Sequence, residues 1–435
     1  MKTVAFHTIG CKLNQYETND IERQFALRGW RPIAFGEPAD VVVVNTCTVT
    51  AQSDSRCRAA LRKARRESPG ATLIATGCLA QAQPGAIDGM PEVDLVLGNR
   101  EKERIFDHLD DDGRPRSERV AAAAHAPGTK PAFTLVTAFS GHTRAFVKIQ
   151  DGCDAGCAYC IVPLARGPNR SLPTADVLAQ ATKLVATGFR ELVLTGVHLG
   201  TWGRDLVPAQ TLAGLLTRLV AIPGLERLRL SSIEPAEFTP ELLDLLAAAP
   251  AICPHLHIPL QSGSASVLHA MRRPYGPEVF ARVVERLSLT LPEPGLGADV
   301  IAGFPGERVE DFEKSVSLIR SLPLTYLHVF PFSPRPGTPA AAMDNQVPAA
   351  ERDRRAGVLR ELGLEKTSAF LERHVGRTVR ALIQGQPGRR RGATHGLTGN
   401  YLTVFVHATQ EEVGHFRDIR ITRHEGGKLH GEFCD

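Results

Sequence analysis

The sequence predicts an α/β protein of several domains, and three patterns along its 435 residues support that prediction. Short β-rich runs alternate with helical periodicity over residues 1–100 and again from Arg144, which is typical of parallel sheets with flanking helices. Past Gly376 the pattern changes to short strands punctuated by glycines, which indicates a small antiparallel β-barrel. A single core stops growing well below this length, so roughly two to four domains are expected.

Composition restricts the class of protein. With 43% hydrophobic and 23% charged residues the chain is typical of globular proteins, which excludes disordered, collagen-like and disulfide-scaffold classes. No uncharged apolar run approaches about 18 residues, and the N-terminus lacks the features of a signal peptide, so we expect a cytoplasmic protein without membrane spans. The net charge of +4 is too balanced to identify a nucleic-acid partner by itself.

The N-terminal region, residues 1–104, is predicted as a parallel sheet with flanking helices. Strands are predicted at residues 4–7, 41–44 and 72–75, and helices at 15–28 and 53–66. The run of four valines from Val41 indicates a strand that is buried on both faces. Residues 105–140 show no stable period and are predicted as a linker.

The central region, residues 141–371, carries six predicted strands with five intervening helices. The strands are at 144–149, 191–195, 226–231, 255–258, 296–301 and 326–331, and the helices at 174–187, 209–220, 239–248, 277–289 and 308–321. Periodicity allows either an open parallel sheet or an incomplete barrel. A helical connector over 348–372 closes this region.

The last region, residues 372–435, is predicted as the small barrel, with strands at 378–383, 401–406 and 418–422. Its ten Lys or Arg and seven Asp or Glu residues carry +3 of the net +4 charge. Arg389, Arg390 and Arg391 form its densest basic segment, either a phosphate-contacting patch or a solvated turn. A second basic candidate lies on the helix at 53–66, where Arg56, Arg62, Lys63 and Arg66 are candidate RNA contacts.

Cys153, Cys157 and Cys160 form a C-x₃-C-x₂-C triplet just after the first strand of the central region. Thiolates are soft ligands for zinc, copper or iron–sulfur clusters. A closed zinc site needs four ligands, whereas three thiolates on a four-iron cluster leave one iron open to a small ligand. The triplet therefore predicts such a cluster, with a zinc site completed by a distant residue as the alternative.

Cys11, Cys47 and Cys78 each directly follow a predicted strand of the N-terminal sheet. The carboxyl ends of parallel strands lie at one edge of a sheet, so these three thiols are expected to converge there. The alternative is that they are buried core cysteines. Cys57, Cys253 and Cys434 show no such placement and are interpreted as bystanders.

The triplet, followed by Ile161–Pro163 and Ala165–Gly167, resembles the radical S-adenosylmethionine (SAM) methylthiotransferases. The resemblance covers almost the whole chain and implies a three-cysteine N-terminal domain, a radical SAM partial (β/α)6 barrel and a C-terminal TRAM-type barrel. Further segments that resemble the family are Leu194–Gly200, Ser231–Pro235, His257–Ser264 and Asp299–Glu307. Leu164 departs from the family, which usually has a polar residue there.

Within that family, the segment Thr8–Asn14 looks most like the group that acts on N6-threonylcarbamoyladenosine in transfer RNA. Two substrates remain as alternatives in the same chemistry, namely N6-isopentenyladenosine in transfer RNA and an aspartate of a ribosomal protein. An alternative of another class is a non-catalytic, metal-stabilised RNA-binding protein, which the terminal barrel alone would permit.

The resemblance also implies cofactors and partners. Cys153, Cys157 and Cys160 would hold a 4Fe–4S cluster that binds and cleaves SAM, and Cys11, Cys47 and Cys78 would hold an auxiliary 4Fe–4S cluster that supplies sulfur for carbon 2 of the adenine. The residues that match SAM-contacting segments are Tyr159, Thr195, Gly196, Ser232, Glu234, Gln261, Arg273, Val300 and Ile301. The implied partners are transfer RNA and an external one-electron donor, while the need for a sulfur donor stays open.

Overall fold

The computed structural model describes residues 1–116, 119–122, 142–385 and 394–434. These residues form two compact units. The first unit combines the described residues up to 137 with segments 150–172 and 333–342. The second unit contains the remaining described residues.

The first unit is built on a six-stranded parallel sheet with the strand order β2-β1-β3-β4-β5-β6. Its strands are β1 (Thr3–Thr8), β2 (Arg31–Ile33), β3 (Val41–Thr46), β4 (Thr72–Gly77), β5 (Leu95–Leu97) and β6 (Val120–Ala121). The three predicted strands are confirmed as β1, β3 and β4. The region predicted as a linker contributes β6, which pairs with β5.

Helices cover both faces of this sheet because its central strands are buried on both sides. They are α1 (Lys12–Ala26), α2 (Ala51–Glu67), α3 (Cys78–Ala82) and α4 (Gly85–Asp88), followed by a 3₁₀ helix at Glu101–Asp107. Phe25 of α1 packs in a cluster with Val43, and Leu61 of α2 packs in a separate cluster with Val44. Neighbouring residues of β3 thus alternate between two cores, as a doubly wound sheet requires.

The chain then alternates between the units. Strand β7 (Ala145–Lys148) belongs to the second unit, whereas β8 (Gln150–Asp151), helix α5 (Val162–Arg166) and β9 (Arg170–Ser171) belong to the first. Strands β8 and β9 pair in antiparallel orientation, Asp151 opposite Arg170, and so close the base of the loop that carries the cysteine triplet.

The second unit contains six parallel strands in chain order, which confirms the incomplete barrel. They are β7, β10 (Glu191–Thr195), β11 (Arg227–Leu230), β12 (His255–His257), β13 (Gly295–Ala302) and β14 (Tyr326–Pro331). The sheet order is β11-β10-β7 and β12-β13-β14. Backbone hydrogen bonds from Leu228 N–H to the Ala251 carbonyl (2.8 Å) and from Ile233 N–H to the His257 carbonyl (3.1 Å) join the two halves.

Helices connect these strands and lead to the C-terminal region. They are α6 (Thr174–Ala186), α7 (Leu212–Val220), α8 (Pro240–Ala248), α9 (Ala265–Ala270), α10 (Pro277–Thr290), α11 (Val309–Ser321) and α12 (Ala349–Glu372). Short 3₁₀ helices lie at Leu199–Thr201, Pro235–Glu237, Pro339–Ala342 and Gln410–Glu412. Among the helices of the described ranges, none combines the length and apolar character needed to cross a membrane.

The chain ends in a closed five-stranded barrel with the order β15-β16-β17-β19-β18. Its strands are β15 (Thr378–Gln384), β16 (Thr394–Thr398), β17 (Thr403–Val406), β18 (Phe416–Glu425) and β19 (Lys428–Phe433). The pairings are antiparallel except that of β17 with β19, which is parallel, so the predicted small antiparallel barrel is confirmed with one parallel pair. Arg389, Arg390 and Arg391 lie outside the described residues.

Within the second unit, this barrel is docked on the parallel strands through buried arginines. Arg229 of β11, which is fully buried, pairs with Glu191 and donates hydrogen bonds to the carbonyls of Thr398 (3.0 Å) and Gly399 (2.9 Å). Tyr401, in the same turn, stacks on His255 with 4.4 Å between ring centroids. A buried charge-assisted contact of this kind fixes orientation, because an unpaired arginine there would be costly.

Candidate functional site

The cysteines of the first trio, Cys11, Cys47 and Cys78, lie at the carboxyl ends of three adjacent strands, β1, β3 and β4. Cys11 is the N-cap of α1, and Cys78 is the first residue of α3. The three cysteines therefore lie along one edge of this sheet, where their convergence is expected. That expectation came from the placement of each cysteine directly after a predicted strand, and the strand order makes the three strand ends neighbours.

Close backbone approach brings this trio together. Gly10 has φ of +118°, and a Cβ atom there would lie 2.9 Å from the Cys47 Cβ and 3.2 Å from its Sγ. A residue with a side chain would push Cys11 and Cys47 apart, so glycine is needed for both conformation and space. Burial, and next the Cys78 thiol, raise the pKa of Cys47 to about 11.

Cys57, interpreted as a bystander, contacts this trio through the backbone. Its Sγ accepts a hydrogen bond from the Cys47 N–H (3.3 Å) and lies 3.4 Å from the Cys47 carbonyl oxygen. Cys57 is fully buried, and burial raises its pKa to about 12. The side chain therefore supports the Cys47 turn as a neutral thiol.

The second trio, Cys153, Cys157 and Cys160, lies in the loop between β8 and α5 of the same unit. The Cys153 N–H donates to the Gly167 carbonyl (3.0 Å), and the Cys160 N–H donates to the Cys157 carbonyl (3.1 Å). Cys157 is buried, while Cys153 and Cys160 are half-buried. The loop is thus held at its base and presents two partly accessible thiols.

The number of ligands separates the possible metal sites. Each trio offers three free thiols, whereas a closed structural zinc site needs four ligands. Three thiolates on a four-iron cluster leave one iron open to a small ligand, so the ligand count of each trio fits such a cluster.

A buried arginine connects the two trios. Arg166, the last residue of α5, is 3% exposed and donates to the Asn14 Oδ1 (2.7 Å), to Glu17 (2.7 Å) and to Asp151 (3.2 Å). Asn14 belongs to the helix that begins after Cys11, and its Nδ2 donates to the Thr46 carbonyl next to Cys47 (3.0 Å). One guanidinium thus ties the triplet loop to the helix of the other trio.

The same network continues through a buried lysine. The Lys102 Nζ lies 2.6 Å from Glu17 and 2.5 Å from the Asn99 Oδ1, and the Asn99 side chain donates to the Ala165 carbonyl (2.7 Å). Burial raises the pKa of Cys78, and the charges of Arg166 and Lys102 oppose that rise. The site therefore places two cations where thiolates would need them. Arg166 and Asn14 were visible in the sequence only as members of motifs, and Glu17 and Lys102 were missed as site residues.

The predicted SAM contacts of the second unit follow four consecutive strands. Thr195 ends β10 and is followed by Gly196, Gln261 follows β12, and Val300 and Ile301 lie near the carboxyl end of β13. Ser232 and Glu234 follow β11. Gln261 has φ of +64° and forms a β-bridge with Val300. Tyr159 lies in the first unit, between two cysteines of the triplet.

Arg273 forms an ion pair with Glu234, so two of the predicted SAM contacts neutralise each other. Arg273 also contacts the Tyr275 hydroxyl (3.0 Å), which donates to the Pro259 carbonyl (2.6 Å). Burial raises the pKa of Glu234, and Arg273 offsets only part of that rise. The pair is positioned at the strand ends by the same loop that follows β12.

A polar cluster lies on one face of β12, β13 and β14. No role was predicted for it from the sequence. The His257 Nε2 lies 2.8 Å and the His328 Nδ1 lies 3.3 Å from the Asp299 Oδ1. Burial alone would raise the pKa of Asp299, but hydrogen bonds from both histidines lower it well below its usual value. His257 and Asp299 were visible only as members of longer motifs.

The basic candidates of α2 are accessible. Arg56, Arg62, Lys63 and Arg66 are all exposed, although Arg62 and Lys63 have ion-pair neighbours at 3.9 Å. Arg65 differs, because its guanidinium donates to three backbone carbonyls and pairs with Asp94 (2.5 Å). Exposed ion pairs at such distances contribute little, so these cations remain available to a polyanion.

Three family models match consecutive parts of the chain. They are Uncharacterized protein family UPF0004 over residues 3–98, the Radical SAM superfamily over residues 147–319 and the TRAM domain over residues 372–434. The first match contains Cys11, Cys47 and Cys78, and the second contains the triplet. The third covers the closed five-stranded barrel.

Curated relatives match over most of the chain. The "Threonylcarbamoyladenosine tRNA methylthiotransferase MtaB" of Bacillus subtilis (strain 168) is 37% identical and covers 97% of this chain and 94% of its own. The protein of the same name from Rickettsia prowazekii (strain Madrid E) is 40% identical, with 87% and 86% covered. The "tRNA-2-methylthio-N(6)-dimethylallyladenosine synthase" of Parafrankia sp. (strain EAN1pec) is 37% identical, with 92% and 81% covered.

The fold also resembles a solved structure. The radical S-adenosylmethionine methyltransferase TsrM from Kitasatospora setae, with cobalamin and a [4Fe-4S] cluster bound, superposes with a TM-score of 0.58. The two sequences are 18% identical, and the match covers 78% of this chain and 74% of the other. At that identity the likeness concerns the fold alone.

Proposed function

This chain belongs to the radical SAM tRNA methylthiotransferases, and we propose that its substrate is N6-threonylcarbamoyladenosine at position 37 of transfer RNA. The product is the 2-methylthio derivative. The family uses SAM and 4Fe–4S clusters. The observation that carries the chemistry is that both cysteine trios belong to one compact unit and are tied together by Arg166.

The substrate assignment is supported by the segment after the first strand and by the relatives. Cys11 is followed by Lys12 and Leu13, the pattern that resembles the threonylcarbamoyladenosine group. Relatives that carry the threonylcarbamoyladenosine name reach 40% identity, and those that carry the dimethylallyladenosine name reach 37%. Because the relatives with the second name are nearly as similar in sequence, dimethylallyladenosine (isopentenyladenosine) remains the competing substrate.

The six cysteines are the proposed cluster ligands. Cys153, Cys157 and Cys160 hold the cluster that leaves one iron for SAM, and Cys11, Cys47 and Cys78 hold the auxiliary cluster. When bound, the clusters would supply the electron that cleaves SAM and the sulfur of the methylthio group, while SAM would supply the methyl group and the radical that removes hydrogen from carbon 2. The three free thiols of each trio and the buried cations beside Cys78 support this assignment.

The protein's own contribution is positioning and charge. Arg166 holds α5, which ends the triplet loop, against Asn14 and Glu17 of α1. Radical transfer depends on geometry, so a fixed distance between the two trios matters more than acid–base groups would. Thr195, Gly196, Ser232, Glu234, Gln261, Arg273, Val300, Ile301 and Tyr159 are the proposed SAM contacts.

Transfer RNA is proposed to bind through its phosphates to Arg56, Arg62, Lys63 and Arg66 on α2. Arg389, Arg390 and Arg391 are proposed as further contacts from sequence alone. The target adenine must leave its stack to reach a buried site, since the enzyme acts on an atom of the base itself. An external one-electron donor completes the scheme.

A direct test uses two transfer RNAs in one anaerobic reaction with SAM, a chemical reductant and cluster-loaded protein. One transfer RNA carries N6-threonylcarbamoyladenosine and the other carries isopentenyladenosine. Nucleoside mass spectrometry should show the methylthio form of the first in at least about tenfold excess, since a site that pairs polar groups rejects an analogue without them strongly. Methylthiolation of isopentenyladenosine alone would overturn the substrate assignment and leave the family membership intact.

A further inference from the structure

The second unit carries a group of metal-ligand side chains to which the proposed function assigns no role. We propose that His257, Asp299 and His328 form a binding site for a single divalent first-row transition-metal ion such as Zn²⁺. The group differs from the cysteine trios in ligand type, because it offers two imidazole nitrogens and one carboxylate oxygen. Two histidines and one carboxylate are a recurrent donor set for such ions.

Strand register brings the donors together. Strands β12, β13 and β14 are adjacent and parallel, with His257 opposite Gly297 and Asp299 opposite His328. Side chains two residues apart on a strand share a face, so all three donors lie on one face of the sheet. The three ligand atoms lie within 4.8 Å of one another.

The distances suit one small ion. The Asp299 Oδ1 lies 2.8 Å from the His257 Nε2 and 3.3 Å from the His328 Nδ1. Donors that each lie about 2.1 Å from a common ion are separated by about 3.0 Å in an octahedral site and about 3.4 Å in a tetrahedral one. Both observed separations are therefore close to those of a shared ion.

A hydroxyl group holds the more buried ligand in place. The His257 Nδ1 lies 3.0 Å from the Tyr326 hydroxyl, which in turn lies 2.9 Å from the His255 Nε2. Gly297 makes room for the Tyr326 ring, since a Cβ atom there would collide with it. Metal-bound histidines almost always have such a partner on the second ring nitrogen, because it fixes the ring orientation.

The site is open on one side. The side chain of His257 is 10% exposed and that of Asp299 25%, whereas that of His328 is 56% exposed. An ion can therefore enter from solvent and keep water at its remaining positions, as open metal sites do.

The test measures zinc on the full chain with its clusters loaded, so that the six cysteines are already occupied. The wild-type protein is treated with a mild chelator, desalted, exposed to a slight excess of Zn²⁺ and desalted again. We expect about one zinc per chain, with nitrogen and oxygen neighbours at about 2.0–2.2 Å by X-ray absorption. Sulfur neighbours at about 2.3 Å would overturn the proposal, because they would place the zinc on cysteines.

Variants distinguish zinc binding at this site from nonspecific zinc binding elsewhere on the protein. His328→Ala, a change at an exposed side chain, should lose the zinc while iron and sulfide content stay unchanged. Tyr326→Phe should weaken zinc binding by about tenfold, because it removes the hydroxyl behind His257. His269→Ala, at an exposed histidine of α9, is the matched control and should bind zinc as the wild type does. Equal zinc content in the wild type and His328→Ala would refute the site.

Discussion

Arg166 is the residue on which the geometry of the proposed site depends most. Its guanidinium is buried against Asn14, Glu17 and Asp151. No sequence pattern pairs it with Asn14 and Glu17, which lie 152 and 149 residues away along the chain. The six cysteines, in contrast, are proposed from the sequence, because each stands in a motif or follows a strand. Buried polar partners depend on which segments meet in the fold, so Glu17 and Lys102 had no recognisable signal.

Replacing Arg166 with Met should uncouple SAM cleavage from methylthiolation. The variant leaves Glu17 with one fewer cation and releases α5 from α1, at a cost of about 3–5 kcal/mol in the free energy of unfolding. Deoxyadenosine should still form, while the ratio of methylthiolated nucleoside to deoxyadenosine falls at least about tenfold. Mass spectrometry of both products gives that ratio.

Arg355→Met is the matched control for that change. Arg355 is an equally buried arginine of the second unit, paired with Glu307 at 2.7 Å. Its loss should cost comparable stability and leave the product ratio as in the wild type. An unchanged ratio in Arg166→Met would show that the arginine only stabilises the fold.

A comparison of Cys57 with Cys47 distinguishes a thiol that supports the fold from a thiol that binds a cluster. Its sulfur contacts the backbone of Cys47 and is held neutral by burial. Cys57→Ala should therefore keep the full iron content of about eight per chain, whereas Cys47→Ala should lose about half of it. Iron and sulfide analysis of anaerobically purified protein checks this. Loss of iron in Cys57→Ala equal to that in Cys47→Ala would make Cys57 a ligand.

At the scale of elements, prediction succeeded where strands are long and regular. The bounds of β10 and β14 were predicted to the residue, because both are β-rich runs bounded by turns. Strands β2 and β5, of three residues each, were missed. Strand β16 was missed because Thr394–Thr398 includes a glycine, which is required where Gly396 packs against Ile419 and Ala381.

A carboxyl group at the N-terminus of α11 makes the free energy of unfolding depend on pH. Burial would raise the pKa of Asp311, but hydrogen bonds from Ser264 and Ser266 hold it at about 2, below the ordinary 3.8. A carboxyl whose pKa is lowered on folding stabilises the protein above pH 4, and that contribution is lost as the pH falls towards 2. Asp311→Asn should lower the free energy of unfolding by about 2 kcal/mol at pH 7.

Urea titrations at pH 7, 4 and 3 check this dependence. The difference between wild type and Asp311→Asn should shrink over the lower part of that range. Glu310→Gln, at an exposed carboxylate of the same turn, serves as control and should change stability by less than about 0.5 kcal/mol. A difference that stays constant with pH would contradict the ionic origin of the effect.

The exposed face of α2 should contribute to the salt dependence of transfer RNA binding. Changing Arg56, Arg62, Lys63 and Arg66 to Gln removes counterion release at that surface, and each lost phosphate contact lowers the slope of log K against log salt by roughly one unit. Filter binding between about 50 and 200 mM salt measures the slope. The control changes three exposed arginines of the same unit, Arg31, Arg114 and Arg116, and should leave it unaltered. Equal slopes for the two variants would show that α2 is not part of the interface with transfer RNA.

At the scale of the whole molecule, the contacts that join distant segments were invisible in the sequence. Arg229 and the turn at Gly399 are 170 residues apart, and only the fold shows that the terminal barrel docks on the parallel strands. The division of the chain into units was equally hidden, since segments 150–172 and 333–342 join the N-terminal sheet. The domain order itself could be predicted, because the change from α/β to short-strand patterns is abrupt.

The central claim is that two separate trios of cysteines each hold a four-iron cluster. Mössbauer spectroscopy and iron analysis of ⁵⁷Fe-loaded protein test it most directly, using the wild type and two triple-alanine variants, one for each trio. We expect about eight irons in the wild type and about four in each variant, all with the spectral signature of 4Fe–4S clusters. A variant of either trio that retained all of its iron, or a wild type with only four irons, would contradict it.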